Sequence, residues 1–364
     1  MDQNNAYEKI AQNLSQLGMP IASTEEMVEI LKANLSSAEA EVVATLPTKV
    51  IPLDFRSVDE LTPVPGLSQR EMMEILEGVA RKGIVLSGKT SKGITGYALW
   101  QSGFGFTQVF YWKGAEDSPH LQNMCELIKK HFRKEPESFE GTKPYRYIPV
   151  GRSINFPKQG VYLYHMIEEV IKNAKKCAVA HCTCRVSQNL LGKGCEHPTE
   201  VCLKFNELAQ YTIDKGFARE ISKEEALEII KLSEEHGLVH FVDNAQGDIQ
   251  HNCNCCGCVC WNVSPIRNRK IPRDKIMDTY FLRVTDENEC IGCGSCIDIC
   301  PVNAVEMIDE KPVADMNWCI GCGVCATKCP SNAIKMVFRD DKNISLPAEN
   351  FKKLHDIILN ERYC

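Results

Sequence analysis

The residues most able to do chemistry in this 364-residue chain are its 20 cysteines, most of which fall between Cys177 and Cys329. One set reads Cys290-Ile-Gly-Cys293-Gly-Ser-Cys296-Ile-Asp-Ile-Cys300-Pro301 and repeats 29 residues later as Cys319-Ile-Gly-Cys322-Gly-Val-Cys325-Ala-Thr-Lys-Cys329-Pro330. Thiolate is a soft ligand, suited to zinc and to iron–sulfur clusters. Two tandem copies of C-x2-C-x2-C-x3-C-P have the spacing that wraps cuboidal clusters, not the paired knuckles of structural zinc.

The second set lies upstream. It comprises His181-Cys182-Thr-Cys184-Arg185, then Cys195 and Cys202, then Asn252-Cys253-Asn-Cys255-Cys256-Gly-Cys258-Val-Cys260-Trp261. A structural zinc uses four ligands, and these spacings fit no common zinc pattern. Adjacent Cys255 and Cys256 cannot easily serve one cluster from the same side. The nine cysteines, Cys182, Cys184, Cys195, Cys202, Cys253, Cys255, Cys256, Cys258 and Cys260, are therefore read as holding one or two further iron–sulfur clusters, with zinc as the alternative. His181, His197 and His251 flank these thiols and could ligate in place of a cysteine, but read first as solvated or as neighbours of the ligands. Arg185 is a cation beside an anionic site, or an ordinary surface arginine. Cys125, Cys177 and Cys364 stand alone and read as small apolar residues.

Residues from about 284 to 338 resemble a two-cluster bacterial ferredoxin domain, on the strength of the doubled run. The resemblance implies an α+β fold over 280–340 and two 4Fe-4S clusters with interleaved ligands. Three cysteines of each run wrap one cluster, and the fourth, before proline, crosses to the other. Cluster one then takes Cys290, Cys293, Cys296 and Cys329, and cluster two takes Cys319, Cys322, Cys325 and Cys300. The whole chain is similar to iron–sulfur proteins of anaerobic bacteria and archaea that join a winged-helix-like segment, a C-x-C-R…C-x-C-C region and such a ferredoxin. That similarity implies an electron-transfer protein or subunit, passing low-potential electrons to or from a partner oxidoreductase such as a flavoprotein. One alternative is a reductase with its active site on the middle cysteines, heterodisulfide-reductase-like or dependent on a corrinoid or flavin. In both readings a flavin or corrinoid enters only through a partner or that alternative. The other is a redox-sensing winged-helix regulator.

Dense thiol sites need rigid elements to hold them. Apolar residues recur at helical spacing from Leu67 to Lys82 (Met72, Met73, Ile75, Leu76, Val79, Ala80), with Gly83 as the stop. Two short β-prone runs follow, Ile84-Val-Leu-Ser and Tyr97-Ala-Leu-Trp100, around a polar tip. With a short helix at Ser57–Leu61 this is the order of a winged helix over 1–110. Residues 111–176 read as a connecting α/β segment with helices at Leu121–Phe132 and from about Tyr162 to Lys176, separated by a Pro- and Gly-punctuated stretch from Glu135 to Gly160. The middle domain, 177–265, reads as α-helical, with helices at Glu200–Asp214 and after the capping box Ser222-Lys-Glu-Glu225. The basic strip Ile266–Lys275 reads as a linker or docking segment, and 347–364 as a closing helix from Pro347 to Asn360. The expected fold class is α+β and multidomain.

Bulk charge narrows the partners. The chain carries 42 Lys and Arg against 48 Asp and Glu. Residues 1–110 hold 9 cations against 13 anions, whereas duplex DNA requires a cation surplus to neutralise phosphates. DNA is therefore not expected, and a redox protein or larger oxidoreductase complex is. The N-terminus, MDQNNAYEKI, lacks a leader pattern, and no apolar run is long enough to span a membrane, so a cytoplasmic protein is expected. In a reducing cytosol, closely spaced thiols are metal ligands sooner than disulfides.

Overall fold

The segment Glu200–Phe205 sets the architecture of the middle of the chain. Val201, Leu203 and Phe205 alternate with Cys202 and Lys204, a period of two that a pleated strand sorts onto two faces. The apolar three enter a core with Val179, Ile230 and Leu354. Cys202 faces a different core, with Trp100 and Trp112. This strand belongs to a seven-stranded sheet ordered Met277–Asp278, Tyr145–Ile148, Val239–Asp243, His251–Cys255, Glu200–Phe205, Cys177–His181 and Arg219–Ile221. Neighbours are antiparallel except for the outer Met277–Asp278 pair with Tyr145–Ile148, which is parallel. The computed structural model describes residues 3–15, 23–101, 104–114, 118–133, 141–154, 163–275, 277–339 and 346–363.

The expected α-helical middle domain is corrected by this sheet. A helix over Glu200–Asp214 gives way to the strand Glu200–Phe205 and a shorter helix, Asn206–Asp214. Alternating large apolar side chains win over helix propensity there, and Asn206 turns the chain at φ 52°. Tyr145–Ile148 comes from the segment read as a connector, so the sheet crosses the boundary drawn at 176. The Ser222-capped helix is present as Lys223–Glu235, with the Ser222 hydroxyl accepting from Glu225 N–H. It packs with Ile167–Asn173 and Phe351–Tyr363 on one face of the sheet. The last of these begins at Phe351, because Ala348–Asn350 is a strand paired with Ala245–Gly247. Of the expected Tyr162–Lys176 helix, Ile167–Asn173 is helical and Tyr162 lies outside the described residues, as do Cys364, 134–140 and 155–161.

The N-terminal helices Gln3–Ser15, Glu25–Asn34 and Ser37–Val43 are followed by a 3-10 turn, Val58–Glu60, and the helix Gln69–Arg81. Ser68 and Glu71 cap that helix reciprocally, and Met72, Leu76, Val79 and Ala80 are its buried stripe. The hairpin Val85–Lys89 with Thr95–Leu99 comes next. This segment shares its core with the middle sheet: Tyr211 donates its hydroxyl to Ala80 O at 3.2 Å and Val85 O at 3.0 Å. Lys215 pairs with Glu77 at 2.7 Å.

At the other end of the chain, each cysteine run leads into a single helical turn, Ser295–Asp298 or Val324–Thr327. Strands Phe281–Thr285 and Ile334–Phe338 pair around them, as do Val305–Ile308 and Lys311–Ala314. The basic strip is a docking segment in this structure: Arg273 donates to Met316 O at 2.6 Å and Cys319 O at 2.7 Å, and Arg269 to Asn303 O at 2.8 Å. No helix among the described residues is long and apolar enough to cross a membrane.

Candidate metal and cluster sites

Six cysteines of the middle region line one cavity of about 40 Å³: Cys182, Cys184, Cys202, Cys253, Cys255 and Cys260. The sheet supplies three. Cys253 and Cys255 are two apart on His251–Cys255, hence on one face, and Cys202 lies on the adjoining strand. Cys182 caps the helix Thr183–Leu190, whose first turn carries Cys184, and Cys260 ends the loop before Val263–Arg267. Trp112, Trp261 and Phe132 complete the wall, with Phe132 and Trp261 rings 4.9 Å apart.

The six sulfurs form an unbroken chain of neighbours, in the order 182, 184, 260, 255, 253, 202. The direction of the pKa shift alternates along it. Hydrogen bonds from Cys184 lower Cys182 and Cys260, and those from Cys202 and Cys255 bring Cys253 down to about 5. The donors Cys184, Cys202 and Cys255 are pushed up in turn. Two buried cations lie beside this set of thiols. Lys204 is 2% exposed, donates to Cys202 Sγ at 3.2 Å and stands 4.1 Å over the Trp112 ring. Arg185 is fully buried and donates to Asn254 O at 2.8 Å, while its Nε and Nη1 have no hydrogen-bond partner. Burial alone would lower the pKa of Arg185, and the thiolates, Cys182 foremost, raise it instead. Arg185 is therefore no surface arginine. The all-thiol donors and the unpaired buried cation fit an anionic metal–sulfur group.

The remaining three cysteines of the set lie outside this cavity. Cys195 Sγ is 3.9 Å from Cys256 Sγ, and with Cys258 and His197 their ligand atoms all lie within 4.8 Å of one another. His181 and His251 do not join them. His181 Nδ1 meets Thr199 Oγ1 at 3.4 Å, and His251 stands 3.0 Å from buried Asp243. Cys125 and Cys177 are buried and apart, as small apolar residues are.

In the C-terminal segment one cavity is lined by Cys290, Cys293, Cys296 and Cys329, together with Arg283. Cys300, Cys319, Cys322 and Cys325 lie within electrostatic reach of one another; burial pushes Cys325 up to about 12, and Arg283 opposes that rise. Arg283 is 3% exposed and donates from Nε to Thr285 Oγ1 at 3.1 Å, leaving Nη1 and Nη2 without hydrogen-bond partners. A buried guanidinium with two open nitrogens beside eight thiols fits two anionic clusters. The loops curl through left-handed glycines, among them Gly321 at φ 65°, where a side chain would collide with Phe281 O.

Tyr147 joins the two groups of sites. It is 1% exposed, and after burial the thiols of Cys260, Cys255 and Cys322 all act on its hydroxyl to raise its pKa. The same buried cluster holds Tyr147, Cys255, Cys260, Cys296, Cys300 and Cys322. Val150 N–H donates to Cys322 O at 3.0 Å. Sequence reasoning missed Tyr147 and Lys204. Lys204 had a signal, its two-residue offset from Cys202, which the helical reading of Glu200–Asp214 hid. Tyr147 had none, because only the sheet brings it into the same buried cluster as the thiols.

Residues 289–333 match the family model described as a 4Fe-4S dicluster domain. Over 30 residues the chain is 47% identical to Ferredoxin-2 of Desulfomicrobium norvegicum, a match covering 8% of this chain and 51% of that protein. The chain thus spans about half the length of the curated relative it matches. It carries a ferredoxin-like 4Fe-4S segment, the class of site that serves iron–sulfur electron transfer.

Proposed function

We propose that the chain is an iron–sulfur electron-transfer protein or subunit with three centres in a row. Two are 4Fe-4S clusters on Cys290, Cys293, Cys296 and Cys329 and on Cys319, Cys322, Cys325 and Cys300. The third is an iron–sulfur centre on the six cavity thiols. When bound, the clusters supply one-electron redox chemistry at low potential. The chain's own residues space them, exclude water and set the surrounding charge.

The observation that carries this reading is the single buried cluster in which Tyr147 packs with Cys255, Cys260 and Cys322. That cluster holds thiols of the middle cavity, Cys255 and Cys260, and of the second run, Cys322, which supports a short path between them. The partner is a redox protein that meets the first site, where Ile291 is 68% exposed and Cys293 reaches the surface. The N-terminal segment is read as a winged-helix-like packing module, supported by its anchoring on Tyr211 and Lys215.

Anaerobic iron and acid-labile sulfide analysis of the full chain tests this. About twelve iron atoms are expected, four for each of three clusters, falling to about eight in Cys202→Ala with Cys255→Ala. A wild-type content of about eight, unchanged in that double variant, rules out the third centre.

A further inference from the structure

We infer that Cys195, His197, Cys256 and Cys258 form a mononuclear, four-ligand zinc site, separate from every iron–sulfur centre of the chain. None of the four lines the six-thiol cavity. Their ligand atoms lie mutually within 4.8 Å, and the Cys195 and Cys256 sulfurs are 3.9 Å apart. Zinc–sulfur bonds of about 2.3 Å at tetrahedral angles place two thiolates about 3.8 Å from each other. The sulfurs of a cubane bind different irons and stand further apart. The spacing is that of one ion.

Both arms come from well-placed loops. Cys195-Glu-His197 lies between the helix Thr183–Leu190 and the strand Glu200–Phe205, and Cys256-Gly-Cys258 follows directly on the strand His251–Cys255. Each arm offers two ligands one residue apart, so a bound ion cross-links two segments that the sheet alone leaves untied. Four protein ligands close the coordination sphere, the mark of a structural site rather than a catalytic one. Three thiolates and a neutral imidazole around a divalent ion leave one net negative charge. Arg185, fully buried, with Nε and Nη1 unpartnered and the Cys256 thiol within electrostatic reach, is the cation on hand to balance it.

This assignment explains the paired Cys255-Cys256. Successive residues leaving a strand diverge, so Cys255 enters the cavity while Cys256 enters the zinc site. The ion then holds the strand end that aims Cys255. It is a positioning element for the six-thiol cavity, and it stands whether or not that cavity holds iron.

The test uses the full chain, purified without chelator under anaerobic conditions, with zinc and iron quantified in the same samples. About one zinc per chain is expected. His197→Ala and Cys258→Ser should each lower zinc at least fivefold, and His197→Cys, a fourth thiolate at the same place, should hold it at the wild-type level. Cobalt substituted for zinc should give the visible bands of a tetrahedral thiolate site in wild type and not in Cys258→Ser. A wild-type protein with less than a tenth of a zinc, zinc that persists in both disrupting variants, or His197→Cys protein without zinc would overturn the assignment. Iron content is an independent readout, so failure of the third iron–sulfur centre is distinguishable from failure of the zinc site.

Discussion

The carbonyl oxygen of Pro301 occupies the space in which a side chain at Gly257 would have to stand. Gly257 lies between Cys256 and Cys258, and Pro301 follows Cys300, so the middle and C-terminal regions meet backbone to backbone. Gly257→Ala should therefore cost on the order of 1–3 kcal/mol, the usual penalty of overpacking. Gly78, inside the helix Gln69–Arg81 with open space around it, is the contrasting position. Gly78→Ala should gain roughly 0.5–1 kcal/mol. Thermal denaturation of the two variants reads both signs, and an unchanged midpoint for Gly257→Ala would contradict the contact.

Cys329 shares a cavity with Cys290, Cys293 and Cys296, although it belongs to the second cysteine run. Cys329→Ala should perturb the centre held by the first run and leave the centre of Cys319, Cys322 and Cys325 intact. Electron paramagnetic resonance of the reduced protein separates the two signals. Loss confined to the second-run centre would refute the crossed ligand sets.

Arg283 places an unpaired guanidinium beside both ferredoxin sites. Reduction adds negative charge that this cation stabilises, so Arg283→Gln should make both midpoint potentials more negative. A tenfold loss in the reduction equilibrium corresponds to about 59 mV for a one-electron couple, and a shift of that order is expected. Protein-film voltammetry measures it. Potentials that stay in place would show the charge to be screened.

Burial, with Arg146 adding to it, holds His165 down at about 3, and burial holds His355 at about 4. The folded chain keeps both neutral, whereas the unfolded chain protonates them below about pH 6.5. The unfolded state therefore binds more protons as the pH falls, and each histidine removes about 1.4 kcal/mol of stability per pH unit below that point. Urea midpoints between pH 7.5 and 5.5 should drop, and His165→Phe should flatten the slope relative to wild type. An equal slope in the variant would exclude His165 as a contributor.

What the sequence revealed follows the range of the interactions. The C-x2-C-x2-C runs were readable because their ligands sit on one loop and need only local geometry. The helix Gln69–Arg81 was readable from its stripe and its Gly83 stop. The six-thiol cavity was not, since Cys202, Cys253 and Cys260 meet only through the strand order of the sheet. Glu200–Phe205 misled because Glu200, Leu203 and Lys204 suit a helix, and only burial of Val201, Leu203 and Phe205 on one face decides for a strand. His197 was noticed as a flank of the thiols able to ligate in a cysteine's place, and its meeting with Cys195, Cys256 and Cys258 depends on a loop that no short-range pattern specifies.

The two cysteine runs are near copies, yet Ile291 of the first is 68% exposed and its counterpart Ile320 is 1% exposed. The duplicated motif has thus become a device with a front and a back. If the proposed electron-transfer role holds, substitutions around Ile291 should alter which molecules can come close enough to exchange charge, while substitutions around Ile320 should disturb only the interior. In that role one repeat would be free to change its correspondents without retuning the other, a division of labour that twofold symmetry in an isolated domain would forbid.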